Sequence, residues 1–218
     1  MIKRNYLENL NNSKKPFIIY KSNKGFDLFT DFSKKIILTK NNIEKFINQS
    51  AKLKSKRKET DLFIGFFGYE ILNNLIGIKV NKQKGLKFPK GIFYKPETKK
   101  KLPNKLNYKN LEIVKSNTLF NININRASYK IIFDKFKKKI KSGETYQIKI
   151  CTKYNNKTQI DALDFFCRLV KSNMAPEAFM IKDKNYSIVS CSPENLINKK
   201  NNFITTKPIA GTLKKKQF

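Results

Sequence analysis

Between Ser128 and Lys207 the apolar residues of this chain change period several times, and that change limits the folds open to it. In Ser128–Ser142 the side chains Tyr129, Ile132, Phe133, Phe136 and Ile140 fall on one face of a helix. Asn125 or Ser128 can serve as its N-cap, and Gly143 stands where a left-handed residue closes a helix. Thr145–Tyr154 then alternates with period two: Tyr146, Ile148, Ile150 and Thr152 share one face, Gln147, Lys149 and Cys151 the other. The spacing predicts a second helix over about Ile160–Asn173, buried through Leu163, Phe166, Cys167 and Val170. Ala178–Lys182 and Tyr186–Cys191 form a hairpin across Asp183–Asn185, and two more short strands follow, Asn195–Asn198 and Phe203–Lys207.

The first half is less regular. Pro16–Tyr20, Phe26–Phe29 and Lys35–Thr39 are short apolar runs separated by Gly25 and by Ser, Asn and Lys, and they predict three antiparallel strands. Asn42–Leu53 carries Ile43, Phe46, Ile47 and Ala51 at helical spacing, and Lys52–Thr60 is a lysine-rich loop. Leu62–Tyr69 is strand-like, with Gly65 and Gly68 permitting close backbone approach. From Lys79 to Asn125 the chain is polar and punctuated by Pro89, Pro96 and Pro103. That stretch reads as a long connection with short strands such as Gly91–Tyr94 and Leu111–Lys115. The sum is an α+β protein of mainly antiparallel sheets flanked by helices.

Composition excludes several kinds of chemistry. The 218 residues contain no histidine, so Ser-His and Cys-His nucleophiles and His-metal sites are absent from the chain itself. Cys151, Cys167 and Cys191 are odd in number and widely spaced, which supplies neither a disulfide framework nor a zinc pattern. The net charge of +31 invites a nucleic-acid reading, but arginine occurs only at Arg4, Arg57, Arg126 and Arg168. The lysines are spread along the whole chain amid Asn and Ile, as on a solvated surface, and no nucleic-acid motif accompanies them. A basic nucleic-acid-binding protein is therefore a secondary alternative. Met1–Pro16 has no apolar core of a secretory signal, and Glu70, Asn73 and Asn74 interrupt Leu62–Val80, which reads as a strand leading into a short helix and not as a membrane span. The expected location is the cytoplasm, with no membrane partner.

Three segments of the second half form a set: Gly143–Gln147 (GETYQ), Ser192-Pro193-Glu194 (SPE) and Pro208–Thr212 (PIAGT). In this order and at these separations they resemble the chorismate-utilising enzymes of the anthranilate synthase component I and aminodeoxychorismate synthase component I type. The resemblance is strong over Tyr129–Lys214 and looser before it, chiefly at Gly65–Glu70 (GFFGYE). It implies an anthranilate synthase component I-like fold, with residues 1–125 as an N-terminal region and residues 126–218 as the start of the chorismate-binding domain.

The resemblance also assigns roles. Chorismate is a small dicarboxylate whose ring hydroxyl must leave as a nucleophile attacks. Hydroxide leaves poorly, which calls for a carboxylic acid kept protonated by burial, and Glu194 is the counterpart of that acid. Gly211 and Thr212 are expected to bind substrate, Gly211 by baring backbone N–H groups and Thr212 by its hydroxyl. Gln147 stands where isochorismate and salicylate synthases use a lysine to activate water, so its uncharged amide favours the ammonia-using members. Ala210 stands where a typical aminodeoxychorismate synthase has a lysine nucleophile, which favours direct amination to anthranilate. Tyr146, Ala175–Met180 (APEAFM) and the short first half resemble the aminodeoxychorismate subunits instead, and that product is the alternative. Pro176-Glu177-Ala178 departs from the Pro-Tyr-Met that lines the tryptophan feedback site of anthranilate synthases, and the usual Leu-Leu-Glu-Ser element is missing, so feedback by tryptophan is not expected. The family further implies Mg2+ as cofactor and a glutamine amidotransferase subunit as the source of ammonia. The magnesium-binding glutamates and a histidine are expected beyond PIAGT; the chain reads as an N-terminal fragment, inactive by itself.

Overall fold

The computed structural model describes residues 4–22, 24–51, 59–78, 88–106, 108, 120–156, 160–173, 175–192, 195–200 and 202–208. The chain divides into two compact units. Residues 1–109 and 161–218 make the first, and residues 110–160 the second.

The first unit is built on a six-stranded sheet in the order β3-β4-β2-β1-β7-β8, with β1 at Phe17–Ser22, β2 at Gly25–Ile37, β3 at Ile64–Phe67, β4 at Gly91–Leu102, β7 at Glu177–Lys182 and β8 at Ser187–Ser192. Every pairing is antiparallel. Strand β1 sits between β2 and β7, with Ile18 opposite Phe29 on one side and Ile181 on the other. The sheet thus takes strands from both sides of residues 125 and 126.

Alternation along β1 sends its side chains to two different cores. Phe17 and Ile19 join Phe26, Leu28, Ala178 and Met180 on the face covered by α1 (Arg4–Asn12) and α5 (Ala162–Asn173), through Leu7, Leu163, Phe166 and Cys167. Ile18 joins Phe29, Ile92, Tyr94 and Ile181 on the opposite face. A smaller cluster of Leu38, Ile43, Phe46 and Ile71 secures α2 (Ile43–Ala51) and α3 (Tyr69–Leu75). The expected strand leading into a short helix is therefore β3 followed by α3.

Helix α1 had no counterpart among the expected elements. Its one apolar stripe, Tyr6, Leu7 and Leu10, packs on the sheet, and its end is tied down by polar groups. Asn11 Nδ2 donates to Tyr108 Oη and to Asp161 Oδ2, both at 3.0 Å, while Lys182 Nζ donates to the Asn11 carbonyl at 2.7 Å. Asp161 also caps α5 by accepting from the Leu163 and Asp164 amides.

Two expected strands, Phe26–Phe29 and Lys35–Thr39, fall on one continuous strand, β2, which ends at Ile37, two residues short of the second expectation. Asp31 adopts a left-handed backbone (φ 53°), and the register against β4 shifts between Phe32 and Lys34. An irregularity of this kind carries a strand through a polar stretch without ending it. Gly65 is required where it stands, since a Cβ there would lie 1.9 Å from the Ile92 carbonyl oxygen of β4.

In the second unit, α4 (Arg126–Lys141) begins at Asn125, whose side chain accepts from the Ser128 amide at 2.8 Å, and ends before Gly143 at φ +77°. Both signals stood in the sequence. No residue of α4 is buried. Among the described residues, the rest of this unit's regular structure is a short ladder of β5 (Asn121–Ile122) with β6 (Tyr154–Asn155). The expected strand Leu111–Lys115 lies outside the described residues. Strands β9 (Asn195–Lys200) and β10 (Phe203–Lys207) form a separate antiparallel ribbon.

Candidate functional site

The three motif segments follow elements of different strength. Glu144, just past α4, is bound by the Lys139 ammonium and by the Ser142 hydroxyl, and these contacts hold its carboxyl below the ordinary glutamate range, the lysine contact contributing most. Gln147 comes next, exposed, with its backbone carbonyl accepting from Thr145 Oγ1 at 3.2 Å. The strand expected over Thr145–Tyr154 is irregular as far as Lys153. The half-buried positions Ile148, Ile150 and Thr152 keep the alternation, but Tyr146 is 92% exposed and leaves the face assigned to it. Among the described residues strand pairing is confined to its end, where Lys153 bonds to Asn123 and where Tyr154 and Asn155 join β5. Period-two patterning makes a strand only where a second backbone takes up its N–H and C=O groups.

The SPE segment is reached from the sheet. Ser192 is the last residue of β8 and pairs with Glu177 at the start of β7. Asn195 opens β9, and its Nδ2 donates to Glu177 Oε1 at 3.0 Å. Tyr20, on β1, is half-buried. Burial, followed by the charge of Glu177, raises the pKa of its phenol above the ordinary tyrosine range, so the hydroxyl keeps its proton. Just upstream, Lys21 Nζ donates to the Ala175 carbonyl. Glu194 itself, and Ala210, Gly211 and Thr212 of the last motif, lie outside the described residues. Their convergence with Gln147 on one ring-shaped dianion is therefore a proposal, taken up below.

A second polar cluster was not visible in the sequence. Asp183, 6% exposed at the hairpin expected there, accepts from Tyr94 Oη and from Tyr186 Oη at 3.3 Å and pairs with Lys35 Nζ at 2.6 Å. Burial pushes its carboxyl up, but the Lys35 ammonium, the Tyr94 hydroxyl and the Lys184 amide outweigh that and leave it below the ordinary aspartate range. The cluster lies within the core that contains Ile18, Ile92 and Ile181 and stabilises the sheet. An apolar cavity of about 270 Å³ opens between β2, α2 and β4, lined by Ile36, Phe46, Leu62 and Phe63 with Lys34 and Lys95 among its polar members. None of the described motif residues lines it.

Among the described residues no group of three His, Cys, Asp or Glu side chains could hold a metal ion, so magnesium has no ligand set there. Among them, too, no helix is long and apolar enough to cross a membrane.

Comparison with known proteins bears on all three motifs together. A family model described as chorismate binding enzyme matches residues 5–218. Aminodeoxychorismate synthase component 1 of Salmonella typhimurium is 32% identical over 91 residues, 42% of this chain and 20% of that protein. Anthranilate synthase component 1 of Thermococcus kodakarensis is 33% identical over 76 residues, 35% of this chain and 17% of that protein. Anthranilate synthase component 1 of Buchnera aphidicola subsp. Acyrthosiphon pisum is 26% identical over 205 residues, 77% of this chain and 39% of that protein. The matched regions thus span between 17% and 39% of the length of these relatives. With a family match running through GETYQ, SPE and PIAGT, the chain belongs to the chorismate-binding enzyme family.

Proposed function

We propose that this chain is part of a synthase subunit that aminates chorismate with ammonia, in the manner of anthranilate synthase component I. The observation that supports this most is the family match from residue 5 to 218, which takes in all three motifs in one register. In this reading Glu194 is the general acid that protonates the departing ring hydroxyl. Gln147 offers a neutral amide in place of a water-activating base, which leaves ammonia as the nucleophile. Gly211 and Thr212 meet a substrate carboxylate, and Ala210 carries no group that could attack the ring. Ammonia comes from a glutamine amidotransferase partner in the cytoplasm. Magnesium, when bound, neutralises carboxylate charge on the substrate.

Relatives named aminodeoxychorismate synthase component 1 match over 42% of the chain at 32% identity, which supports that product as the second reading. One assay separates the two. The protein as its gene encodes it is incubated with chorismate, ammonium chloride and Mg2+, and the product is read by anthranilate fluorescence. A parallel reaction contains an aminodeoxychorismate lyase, which converts aminodeoxychorismate to p-aminobenzoate. Anthranilate is the expected product. p-Aminobenzoate would establish the second reading, and isochorismate would overturn amination altogether.

A further inference from the structure

Glu177 lies at the junction of three strands. Across the ladder it faces Ser192, the residue before Pro193-Glu194, and its side chain receives the amide of Asn195, the residue after them. The two residues that bracket the proposed acid are thus fastened to one side chain, the first through the backbone register and the second through a 3.0 Å hydrogen bond. The next residue, Ala178, pairs with Lys21 of β1, which ties this end of β7 into the middle of the sheet. Among the described residues the other end of the Asn195 amide, Oδ1, is buried without a hydrogen-bond partner, and the contact with Glu177 orients this side chain.

We infer that Glu177 is a positioning residue, which transmits the rigidity of the central sheet through Asn195 to the backbone that carries Glu194. The inference rests on the reading of Glu194 as the general acid. A carboxyl that protonates a leaving group loses most of its effect when displaced by about 1 Å, on the order of 100-fold in rate. Removing a contact on its flanking residue therefore lowers turnover and leaves substrate binding in place. A purely structural role at a strand end would lower stability and leave the kinetics of the folded enzyme unchanged.

The test uses the complete enzyme with chorismate, ammonium and Mg2+. In Glu177→Ala the Asn195 amide loses its acceptor, and kcat is expected to fall about 10- to 100-fold with KM for chorismate within about two-fold. Glu177→Gln keeps an acceptor for Asn195 and is expected to restore kcat to within about three-fold of the parent. Should Glu177→Ala fail to fold, Asn195→Ala removes the donor of the same hydrogen bond from the other side. It is expected to lower kcat about three- to ten-fold, again with little change in KM. Glu194→Gln serves as the reference for the underlying reading and is expected to lower kcat by about 100-fold or more. If Glu194→Gln is inert, the assignment of the acid fails. If Glu194→Gln is crippled while folded Glu177→Ala, or Asn195→Ala in its place, turns over at the parental rate, only the positioning role is overturned.

Discussion

The six-stranded sheet and the segment around α4 use the same aromatic and aliphatic residues to opposite ends. Phe166 of α5 is fully buried between its helix and the sheet, whereas Phe133 of α4 is 45% exposed and no residue of α4 is buried. Helix α5 begins on a cap, Asp161, that is itself bonded to Tyr108 and Asn11 of other elements. Helix α4 begins on a cap, Asn125, that bonds only within its own first turn among the contacts seen here. A local signal is thus sufficient to define α4, while α5 is defined twice, by its own pattern and by its neighbours. The difference shows that a clear sequence pattern and a stable packing environment are separate properties.

Substitutions can break or sharpen that contrast. Phe166→Ala is expected to cost the most, about 3–5 kcal/mol in urea denaturation, by opening a cavity under the sheet. Asp183→Asn comes next, at about 2 kcal/mol, because it removes a charge that Lys35 and two tyrosines share. Its pH dependence carries a definite sign. The folded carboxyl titrates below its ordinary value, so its contribution is present above about pH 4 and is lost as pH falls through the lower folded value. The urea midpoint of the parent is expected to drop in that acid window more steeply than that of Asp183→Asn. Asn125→Ala should cost about 1 kcal/mol, seen as a lower helix signal by circular dichroism. Phe133→Ser is the smallest, within about 0.5 kcal/mol. A loss from Phe133→Ser comparable to that from Phe166→Ala would erase the contrast between the two helices.

What could be read from the sequence follows the same division. The caps of α4, the span of β10 and the hairpin of β7 with β8 are local, and patterning over a dozen residues found them. Helix α1 was missed because a stripe of only Tyr6, Leu7 and Leu10 is too thin to register, and its anchoring through Asn11 comes from residues far along the chain. The continuity of β2 was missed because Asp31 and its polar neighbours resemble a turn, yet the pairing with β4 resumes beyond them. In the opposite direction, Thr145–Tyr154 had the alternation of a strand, yet among the described residues its strand pairing is confined to the end at Lys153 and Tyr154. The candidate site divides in the same way. Its motif residues were found through a family resemblance, whereas the link from Ser192 through Glu177 to Asn195 joins β8, β7 and β9 and leaves no trace in any one segment.

The pairing of β1 with β7 sets a timetable for biosynthesis. Strand β1 leaves the ribosome early and can zip to β2 at once, since only a tight turn separates them. Its other edge must wait until Glu177–Lys182 has been translated. Throughout that interval a nascent hairpin rich in Phe and Ile presents an unsatisfied edge, the kind of surface that recruits holding chaperones or a neighbouring polysome's product. Slow elongation through the lysine codons between the two strands would lengthen the exposure, making the yield of folded protein sensitive to translation speed.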